Sequence, residues 1–205
     1  MRSILLVTSS PRGPASHSSR IAGELVRDLQ AGAPGSTVTL RDLAADPLPH
    51  IGADFAIGSR APAADRTASQ AAAVAVSDAA VAELLAADTV VIAAGLINFG
   101  VPSTLKAWID NLARAGVTFR YTEAGPEGLA KGRKVYLVLA SGGIYSEGPA
   151  AAMDHALPYL RDTLGFMGMT DVEVIRIEGV AMGPEAEAQG LDRARAQLGG
   201  LARAA

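Results

Sequence analysis

The chain of 205 residues contains no cysteine. This absence excludes disulfide bonds, cysteine-ligated zinc, iron-sulfur clusters and a thiolate nucleophile. Any redox chemistry would therefore have to be carried by a bound cofactor. Aromatic residues are also scarce, at 4%, beside 49% hydrophobic and 19% charged residues. That balance is typical of a folded chain with an aliphatic core.

A strong charge of either sign is also missing, since the formal net charge is -3 and basic residues are scattered among acidic ones. The sequence thus offers no basic patch for nucleic acid or an anionic membrane surface. No apolar run approaches the roughly 20 residues of a membrane helix, and the N-terminus lacks the apolar region and cleavage site of a secretory signal. We expect one cytoplasmic domain over residues 1–205, without nucleic-acid or membrane partners.

Short apolar runs alternate with helical stripes, which is the pattern of strand-helix units wound around a parallel sheet. The predicted strands are residues 4–7, 37–41, 89–94, 134–140 and 172–178. The second and fifth runs are interrupted by polar residues, as edge strands are, whereas the others are nearly continuous. We predict an α/β fold, a flavodoxin-like five-stranded parallel sheet of order 2-1-3-4-5 with helices on both faces.

Apolar residues recur at helical spacing between and after these strands. The predicted core-facing stripes are Ile21, Leu25 and Leu29; Val74, Val81 and Leu85; Leu105, Trp108, Ile109 and Leu112; Met153, Leu157, Leu160 and Leu164; and Leu191, Leu198 and Leu201. Gly116 is a candidate stop for the third helix, and Pro158 predicts a kink in the fourth or a start close to it. Residues 45–65 and 115–132 are predicted to be irregular, and the length of the second segment favours a functional loop.

Ligands of open parallel sheets bind beyond the carboxyl ends of the strands, where the winding direction reverses. This rule selects the loops at residues 9–18, 95–100 and 141–145. The first loop supplies hydroxyl and N–H groups ahead of a helix, where the helix dipole favours an anion such as a phosphate. The alternative, that Ser16 or Ser18 only caps the helix, stays open.

Missing motifs narrow the choice of phosphate ligand. Neither a G-x-G-x-x-G dinucleotide fingerprint nor a G-x-x-x-x-G-K-[ST] loop follows the first strand. That strand also ends without carboxylates that could hold a metal ion, so no metal site is predicted. The other loops carry Asn98, Phe99 and the pair Gly142 and Gly143, which suit a flat heterocycle, although a tight turn and a core phenylalanine are the alternatives. Flavin mononucleotide (FMN) is the leading candidate.

Several stretches together resemble a known family over nearly the whole chain. They are residues 98–99, 105–106, 113–123 and 125–129, with further support from 41–44, 141–144, 158–160 and 164–166. The chain is similar in them to the FMN-dependent NADH azoreductases, also described as NADH:quinone oxidoreductases, of the flavodoxin-like superfamily.

The resemblance implies an enzyme that transfers two electrons from NADH or NADPH to quinones and cleaves azo compounds reductively to aromatic amines. The cycle would be ping-pong, with the chemistry at N5 of a non-covalent FMN and no catalytic side chain. Backbone N–H groups of Gly142 and Gly143 would stabilise negative charge on the flavin. A flavodoxin-like FMN electron carrier without nicotinamide turnover, or an FMN-free binding domain, remains the alternative.

The resemblance also implies a homodimer with FMN at the subunit interface, where the loop carrying Phe119 and Tyr121 would help wall the pocket. The cofactor-binding residues would be Ser10, Ser16, His17 and Ser18 at the phosphate, and Leu96, Ile97, Asn98, Phe99, Ala140, Ser141, Gly142 and Gly143 at the ring and ribityl chain. Two departures affect substrate range. Leu96 and Ile97 stand where many members have Met-Tyr, and Ser141 where some have Arg. Arg60 is a candidate contact for a nicotinamide phosphate, with a solvated side chain as the alternative.

Overall fold

The computed structural model describes residues 2–201. Its strands are β1 (Ser3–Thr8), β2 (Thr37–Asp42), β3 (Thr89–Gly95), β4 (Phe119–Thr122), β5 (Gly125–Gly128), β6 (Lys134–Ala140) and β7 (Asp171–Ile177). Its helices are α1 (His17–Gly32), α2 (Ala53–Gly58), α3 (Ala68–Ala86), α4 (Ser103–Leu112), α5 (Ala156–Phe166) and α6 (Pro184–Leu201). Short 3-10 turns occupy Gly13–Ala15, Ala63–Asp65 and Ala151–Met153.

Five parallel strands form the main sheet in the order β2-β1-β3-β6-β7. Since β4 and β5 pair only with each other, β6 and β7 are the fourth and fifth strands of this sheet. The order is therefore the 2-1-3-4-5 that the sequence predicts, with β2 and β7 at the edges. Strand β6 matches its predicted bounds, as do the starts of β2 and β3, and every other strand end shifts by one residue, which is ordinary for element ends.

Helices cover both faces of the sheet, as predicted. On one face, Leu84 of α3, Trp108 of α4 and Leu160 of α5 are fully buried against the sheet. On the other face, Ile21 of α1 and Leu198 of α6 are buried against the sheet. Removal of this apolar surface from water, at roughly 25 cal/mol per Å², is the main force holding the layers together.

Three details of the predicted helices are wrong. Leu85 is 38% exposed, and its neighbour Leu84 faces the core instead. Met153 is 41% exposed and lies in the turn before α5. Gly116, with φ +78, lies beyond the end of α4 at Leu112, so it does not stop that helix directly. Pro158 falls in the first turn of α5, where its missing N–H interrupts no helical hydrogen bond, so the predicted late start is confirmed.

Both segments predicted to be irregular contain regular structure. The first includes α2, whose Phe55 is buried against the molecule. The second folds into the antiparallel hairpin β4–β5. Its Phe119 ring packs on Phe166 of α5 with 4.4 Å between ring centroids. Neither element has enough apolar alternation to be recognised locally, because each is stabilised by contacts with distant parts of the chain.

By length and composition alone, helix α3 is long and apolar enough to cross a membrane. This differs from the expectation that no such run exists, and the reason is its alanine content, which raises hydropathy without large side chains. Val74, Ala80 and Val81 bury one side of α3 in the molecule. A single helix of this kind is weak evidence for a membrane span.

Candidate functional site

The three loops selected from the sequence meet around one cavity of about 270 Å³ at the carboxyl edge of the sheet. The predicted residues that line it are Ser10, Ser16, His17, Leu96, Ile97, Ala140, Ser141 and Gly142. The remaining predicted residues, Ser18, Asn98, Phe99 and Gly143, adjoin these in the same loops but do not line the cavity. A larger cavity of about 640 Å³ lies at the amino edge, where Lys134 and Asp171 form an ion pair. We place the site at the carboxyl edge because the reversal of winding opens the sheet there.

The loop after β1 leads directly into the N-terminus of α1. Ser16 caps this helix, since its Oγ accepts a hydrogen bond from the N–H of Ser19 at 3.2 Å and lies 3.1 Å from Ser18 Oγ. The N–H groups of His17 and Ser18 have no acceptor within residues 2–201. The cap and the capacity to bind an anion therefore coexist, because unpaired N–H groups and the positive end of the helix dipole remain available.

His17 is one of the residues that line the cavity, although only 7% of it is exposed. Its Nε2 lies 3.4 Å from Oε1 of Glu187 on α6. Its Nδ1 is buried and has no hydrogen-bond partner among the described residues. Because buried polar atoms are nearly always paired, an unpartnered ring nitrogen beside a cavity fits a site that receives a polar ligand.

The loop after β3 contains two adjacent non-glycine residues in the left-handed region, Asn98 with φ 47 and Phe99 with φ 69. Ile97 and Gly100 close this turn by exchanging hydrogen bonds of 3.0 and 3.1 Å. Left-handed backbone costs a non-glycine residue about 1 kcal/mol or more, and such strain concentrates at ligand-binding sites. The turn holds Ile97 and Phe99 partly exposed at the rim of the cavity.

The loop after β6 is fastened to the segment that follows β7. The carbonyl of Gly142 accepts from the N–H of Ala181 at 3.0 Å, and that of Gly143 accepts from Gly179 at 3.2 Å. Ser141 Oγ also donates to the Gly143 carbonyl at 2.8 Å. With both carbonyls engaged, the N–H groups of Gly142 and Gly143 have no acceptor in the described part of the chain and are available to a ligand.

Three residues of the cavity wall belong to the selected loops but were not named as binding residues, namely Pro11, Arg12 and Gly95. Sequence reasoning missed three others altogether, namely Pro102, Val180 and Ala181. Val180 and Ala181 follow an edge strand, which the rule for the reversal of winding does not select. They reach the cavity only because the β6 and β7 loops are hydrogen-bonded to each other.

Other side chains singled out in the sequence lie away from the cavity. Phe119 is buried against Phe166, and Tyr121 is 74% exposed on the hairpin. Neither lines the cavity of its own chain. The Arg60 side chain is exposed, with Nη1 3.5 Å from the carbonyl oxygen of Ala56. Within residues 2–201, no cluster of three or more His, Asp or Glu side chains could hold a metal ion.

Comparisons with known proteins agree with this geometry. The family described as having a flavodoxin-like fold matches residues 2–201. An FMN-dependent NADH:quinone oxidoreductase of Mesorhizobium japonicum is 60% identical over 196 residues, which cover 96% of this chain and 93% of the relative. One of Agrobacterium fabrum is 58% identical over 205 residues and 100% of both chains.

Solved structures show the same likeness in three dimensions. An azoreductase of Bacillus anthracis superposes with a TM-score of 0.91 at 34% identity, covering 98% of this chain and 99% of that one. An FMN-dependent NADH-azoreductase of the same species, in complex with FMN, gives a TM-score of 0.87 at 25% identity, with 98% and 100% coverage.

Proposed function

Because this chain belongs to the family with the flavodoxin-like fold, among the FMN-dependent NADH:quinone oxidoreductases, we propose that it transfers two electrons from NADH to a quinone at the cavity described above. The observation that carries the proposal is the convergence of three ligand-type loops on that cavity. When bound, FMN supplies a ring system that accepts two electrons from a nicotinamide and passes them to an acceptor.

The residues of the site fit FMN. Ser10, Ser16 and the free N–H groups of His17 and Ser18 would hold the phosphate, because they supply hydroxyl and helix-terminal donors without a carboxylate among them. The ring and ribityl chain would lie against Leu96, Ile97, Asn98, Phe99, Ala140, Ser141, Gly142 and Gly143. The free N–H groups of the glycine pair would stabilise negative charge beside them.

The cavity of about 270 Å³ has an open mouth, where Ile97 is partly exposed. Donor and acceptor would reach a cofactor held here through that mouth in turn. We propose a ping-pong order on this basis, with azo compounds accepted as well as quinones and two cycles needed to cleave an azo bond to two amines.

A homodimer is the second part of the proposal. The residues that support it are apolar or aromatic side chains exposed on the hairpin and around the cavity mouth: Val117, Tyr121, Ile97 and Phe99. A second copy would cover them and complete the wall of the cavity. Tyr121 contacts the Phe119 ring edge to face at 5.7 Å between centroids, yet it remains 74% exposed. We also propose that the protein is cytoplasmic.

The first test of the proposed function is the absorbance spectrum of the protein. Purified protein, or apoprotein mixed with FMN, should show flavin absorbance bands that bleach on anaerobic addition of NADH and return with a quinone. Protein that takes up no FMN would contradict the proposal. Steady-state NADH oxidation with a quinone separates the enzyme from an electron carrier, for which turnover would be absent.

The kinetic order and the donor are settled in the same assay. With NADH and quinone both varied, parallel double-reciprocal lines are expected, and intersecting lines would exclude the ping-pong order. Repeating the series with NADPH in place of NADH, and with an azo dye in place of the quinone, establishes whether the protein uses them.

A further inference from the structure

Tyr145 ends the loop after β6 and lies beside the cavity, next to residues that adjoin its lining. Its ring meets Phe99 edge to face, with 6.2 Å between centroids and 69° between planes. On the other side, a Cβ placed on Gly143 would lie 3.4 Å from Cε2 of Tyr145. The ring therefore bridges the strained turn after β3 and the glycine pair after β6. Its hydroxyl has no hydrogen-bond partner among the described residues.

The backbone at Tyr145 is anchored by a buried carboxylate. Glu178, only 9% exposed, accepts hydrogen bonds on Oε1 from the N–H groups of Tyr145 and Ser146, both at 2.8 Å. The Ser146 hydroxyl donates to its Oε2. Hydrogen bonds to a carboxylate are about twice as strong as neutral ones, so three of them hold this short segment firmly.

Arg176 joins this anchor to the start of α5. Its Nη1 lies 3.4 Å from Glu178 Oε1 and its Nη2 2.7 Å from Oδ2 of Asp154. The other oxygen of Asp154 accepts from the N–H groups of Ala156 and Leu157 at 3.0 Å. Between these two anchors, the N–H of His155 donates to the carbonyl of Phe99 at 3.0 Å.

Glu178, Asp154 and Arg176 thus form a frame that fixes the two residues in contact with Phe99, namely Tyr145 and His155. Glu178 holds Tyr145, Asp154 holds the segment that contains His155, and Arg176 ties the two carboxylates together. A pair of aromatic rings supported in this way is positioned before a ligand arrives, which avoids an ordering cost on binding. Such support is what a contact surface for a flat molecule requires.

We propose that Tyr145 is the residue that meets the electron acceptor, its ring packing against a planar quinone and its hydroxyl donating a hydrogen bond to a quinone carbonyl. The inference rests on the proposed function and adds a specificity-determining residue to it. On the turn after β3, the side chains of Ile97 and Phe99 cannot donate a hydrogen bond. The phenol of Tyr145, whose ring contacts Phe99, supplies this donor from the neighbouring loop.

The experiment compares Tyr145→Phe, which keeps the ring, with Tyr145→Leu, which removes it. Tyr136→Phe is the matched control, because it removes a phenol from the strand that leads to this loop without touching the cavity. Each FMN-loaded variant is assayed at saturating NADH for kcat/KM with a naphthoquinone and with ferricyanide, which has no carbonyl. FMN affinity is measured separately by fluorescence quenching.

Tyr145→Phe should lower kcat/KM for the quinone roughly threefold to tenfold, the range expected for one lost hydrogen bond, and Tyr145→Leu should lower it further. In Tyr145→Phe, which keeps the ring, rates with ferricyanide and the Kd for FMN should stay at their wild-type values, as should every parameter of Tyr136→Phe.

Unchanged quinone kcat/KM in Tyr145→Phe would overturn the inference. An equal loss with ferricyanide, or weaker FMN binding, would also overturn it, because Tyr145 would then act through the cofactor. Failure of the proposed function looks different, since the wild-type protein itself would show no NADH:quinone turnover.

Discussion

Ser16 performs two tasks with one hydroxyl. It caps α1 through the Ser19 N–H, and it contacts the hydroxyl of Ser18 at the edge of the cavity. The cap restrains the first turn of the helix, which leaves the N–H groups of His17 and Ser18 facing no protein acceptor. The residue that caps the helix therefore also leaves N–H groups free to bind an anion.

Replacing Ser16 and Ser18 together by Ala should weaken FMN binding by about tenfold, from the loss of roughly one to two hydrogen bonds to the phosphate. Binding of riboflavin, which lacks the phosphate, should change little. Fluorescence titration of both flavins into apoprotein makes the comparison, and it also removes the effect of the lost helix cap, which acts on both ligands. Ser19→Ala serves as the control on the same turn. Equal losses for FMN and riboflavin would remove these serines from the phosphate site.

The hairpin β4–β5 is held on the molecule by close backbone contact with the turn after α5. A Cβ on Gly128 would lie 2.1 Å from the backbone nitrogen of Gly168, and the N–H of Ala130 donates to the carbonyl of Met167 at 2.8 Å. Gly128 is therefore needed for the approach of the hairpin to the body of the protein, whereas Gly125, with φ +112, serves the conformation of the hairpin itself.

Gly128→Ala should lower the free energy of unfolding by about 1–3 kcal/mol, because the added methyl group meets backbone that cannot move aside. Urea denaturation followed by circular dichroism measures the change. Gly52→Ala is the matched control, since a Cβ at that position has nothing within 4 Å. A Gly128→Ala protein as stable as Gly52→Ala would show that the hairpin does not sit against the turn after α5.

At the scale of the whole molecule, the first and last helices are joined by an ion pair. Arg195 of α6 contacts Glu24 of α1 with both Nε and Nη2, at 3.0 and 3.1 Å. These hydrogen bonds from Arg195 hold the pKa of the Glu24 carboxyl below its ordinary value of 4.5. A carboxyl whose pKa is depressed by folding stabilises the folded state above its unfolded pKa, and this contribution is lost as the pH falls through its folded pKa.

Glu24→Gln should therefore cost roughly 0.2–1 kcal/mol at neutral pH, the range for a partly exposed pair. The difference from wild type should shrink below pH 4.5 as Glu24 becomes protonated. Urea unfolding at several pH values gives both numbers. A difference that persists unchanged at low pH would mean that the pair contributes through packing and not through charge.

The proposed dimer is tested at the hairpin. Tyr121→Glu places a charge on a side chain that is 74% exposed in the single chain, so it should leave the stability of the chain unchanged and shift sedimentation from dimer to monomer. Leu40→Glu, at a site 61% exposed on the edge strand β2, is the control for an equal change of charge. A Tyr121→Glu protein that sediments as a dimer would place the interface elsewhere.

The sequence alone determined the sheet and the general position of the site. The uninterrupted apolar texture of residues 89–94 and 134–140 identified interior strands, because burial on both faces leaves a signal in the strand itself. Once the strand order is known, the loops at Ser10, Ile97 and Gly142 must lie at one edge. The pattern of apolar residues within each strand was sufficient for this prediction of the sheet and the site.

Only the tertiary structure decided how the rim of the site is built. The hairpin β4–β5, the wall formed by Val180 and Ala181, and the frame of Asp154, Arg176 and Glu178 depend on contacts between residues far apart in the chain. Such contacts produce no periodic pattern of apolar residues in the surrounding sequence. Taken alone, each partner resembles an ordinary surface or turn residue. The convergent loops were visible in the sequence, whereas the aromatic pair of Phe99 and Tyr145 that borders them became visible only when the chain was folded.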